Sequence, residues 1–264
     1  MIGVFAATKM EIAGLRKRTA IEERTQEEGC VVERGQCNGV ETLLVQFGMG
    51  KARAQRAVEA VLSRYPLDAV VSLGFSGALT DDLQVGDVIV CGKIRHSGGD
   101  DDVACDANLL SKAMALSSSR LCVIEGIGAT SDAFVPDVDT KRRIASELGA
   151  TAVDMESHWI GRAAVARGLP FLSVRAISDC LTARLPPIER FIDADGRMRR
   201  RSMAACCLRR PRTIAELVSL GRNARRAGRT LAACALDLLP VIAGIETATE
   251  WPSKPVVRIV EERR

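Results

Sequence analysis

Between Ile2 and about Cys180, short continuous apolar runs alternate with helically spaced stretches. Ile2-Gly3-Val4-Phe5-Ala6-Ala7 reads as a strand, and Met10-Glu11 opens a helix that continues through Leu15. Leu43 to Phe47 is a second strand, followed by a glycine-rich turn and helix start at Gly48-Met49-Gly50-Lys51. Ala69 to Leu73 leads into Gly74-Phe75-Ser76-Gly77-Ala78-Leu79. Thr151-Ala152-Val153 is β-branched and apolar, which suits a strand. From Ser157 to Arg167, Trp159, Ile160, Ala163, Ala164 and Val165 are apolar while Arg162 and Arg167 are polar, a helical spacing. Gly168 fits the stop of that helix, and Pro170 cannot continue it. Phe171 to Ile177 is a further strand, ending at Ser178-Asp179. Strands alternating with helix-sized segments predict an α/β fold of three layers: a central mixed, mostly parallel sheet flanked by helices.

The pattern changes after Leu185-Pro186-Pro187. Asp193-Ala194-Asp195-Gly196 reads as a turn, Met198 to Leu208 and Thr213 to Leu239 as helices, the second with an interruption at Gly221 or Gly228. Pro240 to Arg264 reads as an irregular tail. The expected division is an α/β domain over 1–192 and a basic helical extension over 193–264. Net charge is only +4, yet eleven arginines and one acid, Glu216, lie between Arg197 and Arg229. Leu217, Val218, Leu220, Ala224, Leu231 and Ala235 form an apolar stripe flanked by these arginines. Such a helix lies on an anionic membrane surface or packs on the domain with its arginines solvated; both readings stand. Nucleic acid is disfavoured, because single-strand binders stack bases on aromatics and only 3% of this chain is aromatic. The nine cysteines form no Cys-x-x-Cys pair, which argues against zinc and fits a reducing cytoplasm. No basic flank precedes the first strand, as a signal peptide would require, and no apolar run is long enough to span a bilayer.

Two acids stand where chemistry is expected. In a sheet wound this way ligands sit beyond the carboxyl ends of the strands, and Glu156 and Asp179 fall at the ends of neighbouring elements. Each has a plainer reading, as a helix cap, a surface acid or a complement to a helix dipole. Gly48, Gly50, Gly74, Ser76 and Gly77 offer backbone N–H groups that suit an anion, with Lys9, Lys51, Arg53, Arg56 and Arg175 as nearby cations. His158 reads as packing or surface, His96 as a loop residue, and Asp100-Asp101-Asp102 as a solvated acidic loop rather than a metal site.

Val153-Asp154-Met155-Glu156, a short helix, then Arg175-Ala176-Ile177-Ser178-Asp179 resembles the purine nucleoside phosphorylase and nucleosidase superfamily, above all its adenine-releasing nucleosidases. Met10-Glu11, Gly74 to Leu79, Val85-Gly86-Asp87 and Thr130-Ser131-Asp132-Ala133-Phe134-Val135 extend the likeness in order and spacing. The resemblance implies cleavage of a purine N-glycosidic bond. Asp179, oriented by Ser178, would protonate the base; positioned acid–base groups contribute about 10²–10⁴-fold, and burial would have to raise its pKa for that role. Glu156 would hold the ribose hydroxyls, Met155 would pack on the sugar, and Glu11 would position water or the ribose. Phe75, Phe134 and Val135 would line the base site with Ser76 and Gly77; Phe75 departs from the small residue common in the family. The arginine-rich extension resembles that of hopanoid-associated nucleoside phosphorylases, which implies adenosylhopane as substrate. Phosphate is then a co-substrate held near Gly48, Gly50, Arg56 and Arg175, with no organic cofactor and no metal. The alternatives are a methylthioadenosine or adenosylhomocysteine nucleosidase, which uses water, and a non-catalytic membrane- or nucleic-acid-binding protein. By resemblance the chain forms homo-oligomers, dimers foremost, in the cytoplasm or at the membrane periphery.

Overall fold

The computed structural model describes residues 1–99, 101–116, 122–186 and 212–245. In chain order the elements are β1 (Ile2–Ala6), α1 (Lys9–Arg16), β2 (Thr19–Glu27), β3 (Cys30–Cys37), β4 (Val40–Gln46), α2 (Lys51–Arg64), β5 (Ala69–Ala78) and β6 (Val88–His96). They continue with β7 (Val103–Ala104), α3 (Ala107–Met114), β8 (Val123–Thr130), α4 (Val138–Leu148), β9 (Ala152–Asp154), α5 (Ser157–Val165), β10 (Phe171–Asp179) and α6 (Arg212–Ile242). All ten strands belong to one mixed sheet. The apolar runs form its buried centre, because a strand covered on both faces needs apolar residues at every position. Phe5, Leu43, Leu44, Val70, Leu73, Ile89, Leu172 and Val174 are fully enclosed there.

The sheet does not stay open. β5 pairs parallel with β10, β10 antiparallel with β6, β6 parallel with β8, β8 parallel with β9, and β9 antiparallel with β5. This circuit of five strands closes on itself, while β1, β4, β3 and β2 continue as an open wing. Register shifts at Ile177/Asp179 and Cys91/Lys93 bend the ring, as bulges do. The β2–β3 hairpin was not evident from the sequence pattern. β2 is an exposed edge strand rich in Glu and Arg, a composition that blunts edge pairing and erases strand periodicity. The tight turns after β2 and β3 place Glu28-Gly29 and Asn38-Gly39 at positive φ, the geometry of two-residue hairpin loops.

The C-terminal helix departs most from expectation. α6 runs unbroken past Gly221 and Gly228, through Pro240, and ends near Gly244, whose φ is 74°. Met198 to Leu208 and the tail beyond Ile245 lie outside the described residues. Ala224, Ala227, Leu231, Cys234, Ala235 and Leu238 are buried, so much of the apolar stripe packs on the protein body and is not open to a membrane. Small residues allow α6 to press on α1: a Cβ at Gly14 would stand 2.3 Å from that of Ala232. Arg222, Arg225, Arg226 and Arg229 face solvent. The helix assigned to a separate extension thus shares the core of the preceding domain. Among the described residues, no helix is long and apolar enough to cross a membrane.

Candidate functional site

The site begins where β1 hands over to α1. Thr8 caps the helix, and Thr8 and Glu11 form a reciprocal capping box, which spends the first free N–H groups of the helix on side-chain oxygens. Glu11 is therefore fixed. Its Oε2 accepts from Thr8 N at 2.5 Å, and its Oε1 accepts from Phe75 N on β5 at 2.8 Å. Burial raises its pKa against these backbone donors and the nearby Arg175. Gly74 has no side chain because none fits: a Cβ there would lie 2.4 Å from Arg175 Nη1 and 2.9 Å from Glu11 Oε1.

Arg175, 4% exposed, comes from the middle of β10. Its Nε donates to Asp154 Oδ2 at 2.6 Å and Ser157 Oγ at 2.9 Å, and its Nη2 to Ser72 Oγ at 2.5 Å. Asp154 also accepts from Thr130 Oγ1, Glu156 N and Ser157 N. Burial opposes its charge, but Arg175, Ser157 and Thr130 prevail and hold the carboxyl below its usual range. Glu156 follows at the mouth of α5, where its Oε1 accepts from Gly50 N at 2.7 Å. Burial first, then the charges of Asp154 and Glu11, push Glu156 up to about 8. Glu11, Asp154 and Glu156 thus surround one guanidinium.

Farther along β5 stands the second acid. Gly77 pairs with Val153 on one side and Asp179 on the other. It lies three residues beyond Gly74, roughly 10 Å along an extended strand. Ser178 Oγ donates to Asp179 Oδ1 at 2.7 Å. Asp179 is not a lone acid, however. Lys141, fully enclosed on α4, donates from Nζ to Asp179 Oδ2 at 2.5 Å and to the Cys180 carbonyl at 2.8 Å. Ser76 Oγ, also buried, has no hydrogen-bond partner, so a polar group here is free to receive a ligand. Phe134 is half-buried in the β8–α4 loop, and Met155 is half-buried beside Glu156. Val135 belongs to a small core with Leu79, Ile144 and Val153.

The expected anion donors are engaged within the protein. Gly48 N donates to the Ala7 carbonyl, Gly50 N to Glu156, and the exposed Arg56 through Nε to the Ala52 carbonyl. Arg175 is committed to Asp154, Ser72 and Ser157. Lys51 pairs with Asp132 and lies 3.9 Å from the Trp159 ring centroid. Each of these groups, expected to bind an anion, thus makes at least one hydrogen bond or ion pair within the chain. His158 is buried beside His96 and Trp159. Asp101 and Asp102 pair with Arg162, Lys93 and Arg95, and among the described residues no group of His, Cys, Asp or Glu could hold a metal ion.

Sequence reasoning missed Asp154 and Lys141. Asp154 lay inside the quoted motif without a role. Lys141 had a signal: with Ile144 and Leu148 it falls at helical spacing on the inner face of α4, where an apolar residue belongs.

A family model described as "Phosphorylase superfamily" matches residues 1–208. Among solved structures, the 5'-methylthioadenosine/S-adenosylhomocysteine nucleosidase from Neisseria meningitidis is 20% identical, with a TM-score of 0.72 over 90% of this chain and 97% of that one. The corresponding nucleosidase from S. pneumoniae is 22% identical, with a TM-score of 0.72 over 91% and 99%. A futalosine hydrolase mutant from Helicobacter pylori is 18% identical, with a TM-score of 0.71 over 90% and 97%. At these identities the structures establish a shared fold.

Proposed function

The chain belongs to the phosphorylase superfamily, as an enzyme of the nucleoside phosphorylase or nucleosidase class, and from that premise we propose that it hydrolyses the N-glycosidic bond of an adenine nucleoside. The observation that carries hydrolysis over phosphorolysis is the closed network around Arg175. Its guanidinium is matched to Asp154, Ser72 and Ser157, with Glu11 and Glu156 beside it. A phosphate dianion would add charge to a pocket already rich in carboxylates, whereas a water molecule adds none. Buried charge without a partner is costly.

In this reading Glu11, held by two backbone N–H groups, accepts a proton from water as the oxygen bonds to C1′ of the sugar. The C1′–N9 electron pair passes into the purine, and Asp179 serves N7 of the leaving base. Glu156 holds a ribose hydroxyl. Ser76 Oγ gains from the substrate the partner that it lacks in the free protein. Methylthioadenosine tests the acceptor: adenine release should proceed at the same rate in phosphate-free buffer and with added phosphate. A rate that depends on phosphate would overturn hydrolysis.

The 5′ side favours a nucleoside with a large apolar group, adenosylhopane among them. Met10 is 45% exposed on the first turn of α1, and Gly228 of α6 lies against its carbonyl and the Phe75 ring. α6 runs parallel to α1 there. Its residues before Gly228 span about 20 Å at 1.5 Å per residue, with Ala224 and Ala227 buried and Arg226 against Gly86. Val218, 52% exposed, lies on that segment. Comparing kcat/KM for adenosines with long apolar and with methylthio 5′ groups checks this; a clear preference for methylthio would contradict it.

A further inference from the structure

Lys141 has no part in the mechanism above, yet it is one of the largest fully enclosed side chains in the protein. Burying an ammonium costs several kcal/mol unless it is paired and hydrogen-bonded. Here it has two acceptors, Asp179 Oδ2 at 2.5 Å and the Cys180 carbonyl at 2.8 Å. The surroundings are shaped around it. A Cβ at Gly77 would lie 3.4 Å from Lys141 Cε and 2.9 Å from Asp179 Oδ2, so the glycine leaves room for both. The acid that faces the base is thus gripped twice, by Ser178 at Oδ1 and by Lys141 at Oδ2.

We propose that Lys141 is a positioning residue for the cleavage step, fixing the Asp179 carboxyl against the leaving base and supplying the proton that the base takes up. The inference rests on the nucleosidase reading above. The proton balance is closed. An Nζ–H bond of Lys141 breaks as the proton passes to Asp179 Oδ2. That O–H bond breaks as N7–H forms on the purine, whose ring receives the C1′–N9 electron pair. Lys141 is left as an amine, Asp179 as a carboxylate, and water reprotonates the amine after the base departs. Because Lys141 touches the base only through Asp179, its effect belongs in kcat and depends on Asp179.

The test compares K141M, K141R, D179N and the K141M/D179N double variant with the unmodified protein for adenine release from methylthioadenosine, with thermal unfolding of each. The expected result is that K141M loses about 10²-fold in kcat, the scale of a positioned proton donor, with KM nearly unchanged. K141R should recover part of the loss, and the double variant should be no slower than D179N. If K141M is poorly folded, the double variant and K141Q carry the comparison, because neither leaves the Asp179 carboxylate buried without a donor. Full activity in K141M, or losses from K141M and D179N that multiply, would overturn the role of Lys141 alone. Full activity in D179N would instead remove the base-side acid from the proposed function.

Discussion

Glu11 and Glu156 are held differently, and that difference can be measured. Glu11 accepts two backbone N–H groups, which oppose the rise that burial imposes on its pKa. Replacing it by Gln keeps the shape and removes the proton acceptor; adenine release should fall by about 10²–10⁴-fold, and because one amide oxygen cannot accept both backbone N–H groups, stability should drop by about 1–3 kcal/mol. Glu156 carries a stability signature. Its pKa rises from 4.5 to about 8 on folding, so the folded state binds its proton more tightly than the unfolded chain does. The associated stabilisation is complete below 4.5 and is lost as pH rises through about 8. Glu11 is shifted in the same direction. Denaturant unfolding across this window should show stability declining with pH, with a shallower decline in E156Q. An unchanged slope in E156Q would show that another group titrates. At this scale the motif Met155-Glu156, Arg175, Ser178-Asp179 was legible from sequence as a mark of the superfamily, because residue type and order carry such a likeness. The Lys141–Asp179 pair was not, since a contact between α4 and β10 depends on three-dimensional packing.

Among elements, α6 and α1 form the tightest helix contact described. Gly14 faces Ala232 at a distance that admits no extra atom. Gly14→Val should therefore destabilise by about 1–3 kcal/mol through overpacking, read as a lower denaturation midpoint, and should also lower activity, because α1 carries Glu11. An unaltered midpoint would mean that the two helices can separate freely. The apolar runs that became β1, β4, β5 and β10 were plain in the chain because burial on both faces demands continuous hydrophobicity. β2 was hidden by its exposed, charged composition, although Asn38-Gly39 is a strong hairpin signal. Gly221 and Gly228 suggested breaks in α6; Gly228 packs against the Met10 carbonyl and the Phe75 ring, whereas Gly221 has open space around it and only weakens the helix locally.

The whole molecule joins a closed five-strand ring, an open wing and a long C-terminal helix around one principal core. Leu231, Leu238 and Leu239 of α6 are nearly inaccessible; at about 1.5–3 kcal/mol for each fully buried leucine, their loss approaches the whole stability of a typical domain, about 5–15 kcal/mol. A chain ending at Pro186 should fail to give a cooperative thermal transition; a folded, active product would show α6 to be dispensable. Closure of β5 onto β10 sets Arg175 opposite Gly74 and Asp179 opposite Gly77, bringing the groups proposed to serve the sugar and the base onto one strand. The alternation of the chain foretold a layered α/β protein but not that closure, because strand order beyond nearest neighbours leaves no periodic trace. The central claim is that this strand pair presents a nucleoside to water. Its most direct test is the sugar product formed from methylthioadenosine in phosphate buffer, identified by NMR. The account predicts the free 5-methylthio sugar, and the corresponding sugar 1-phosphate would contradict it.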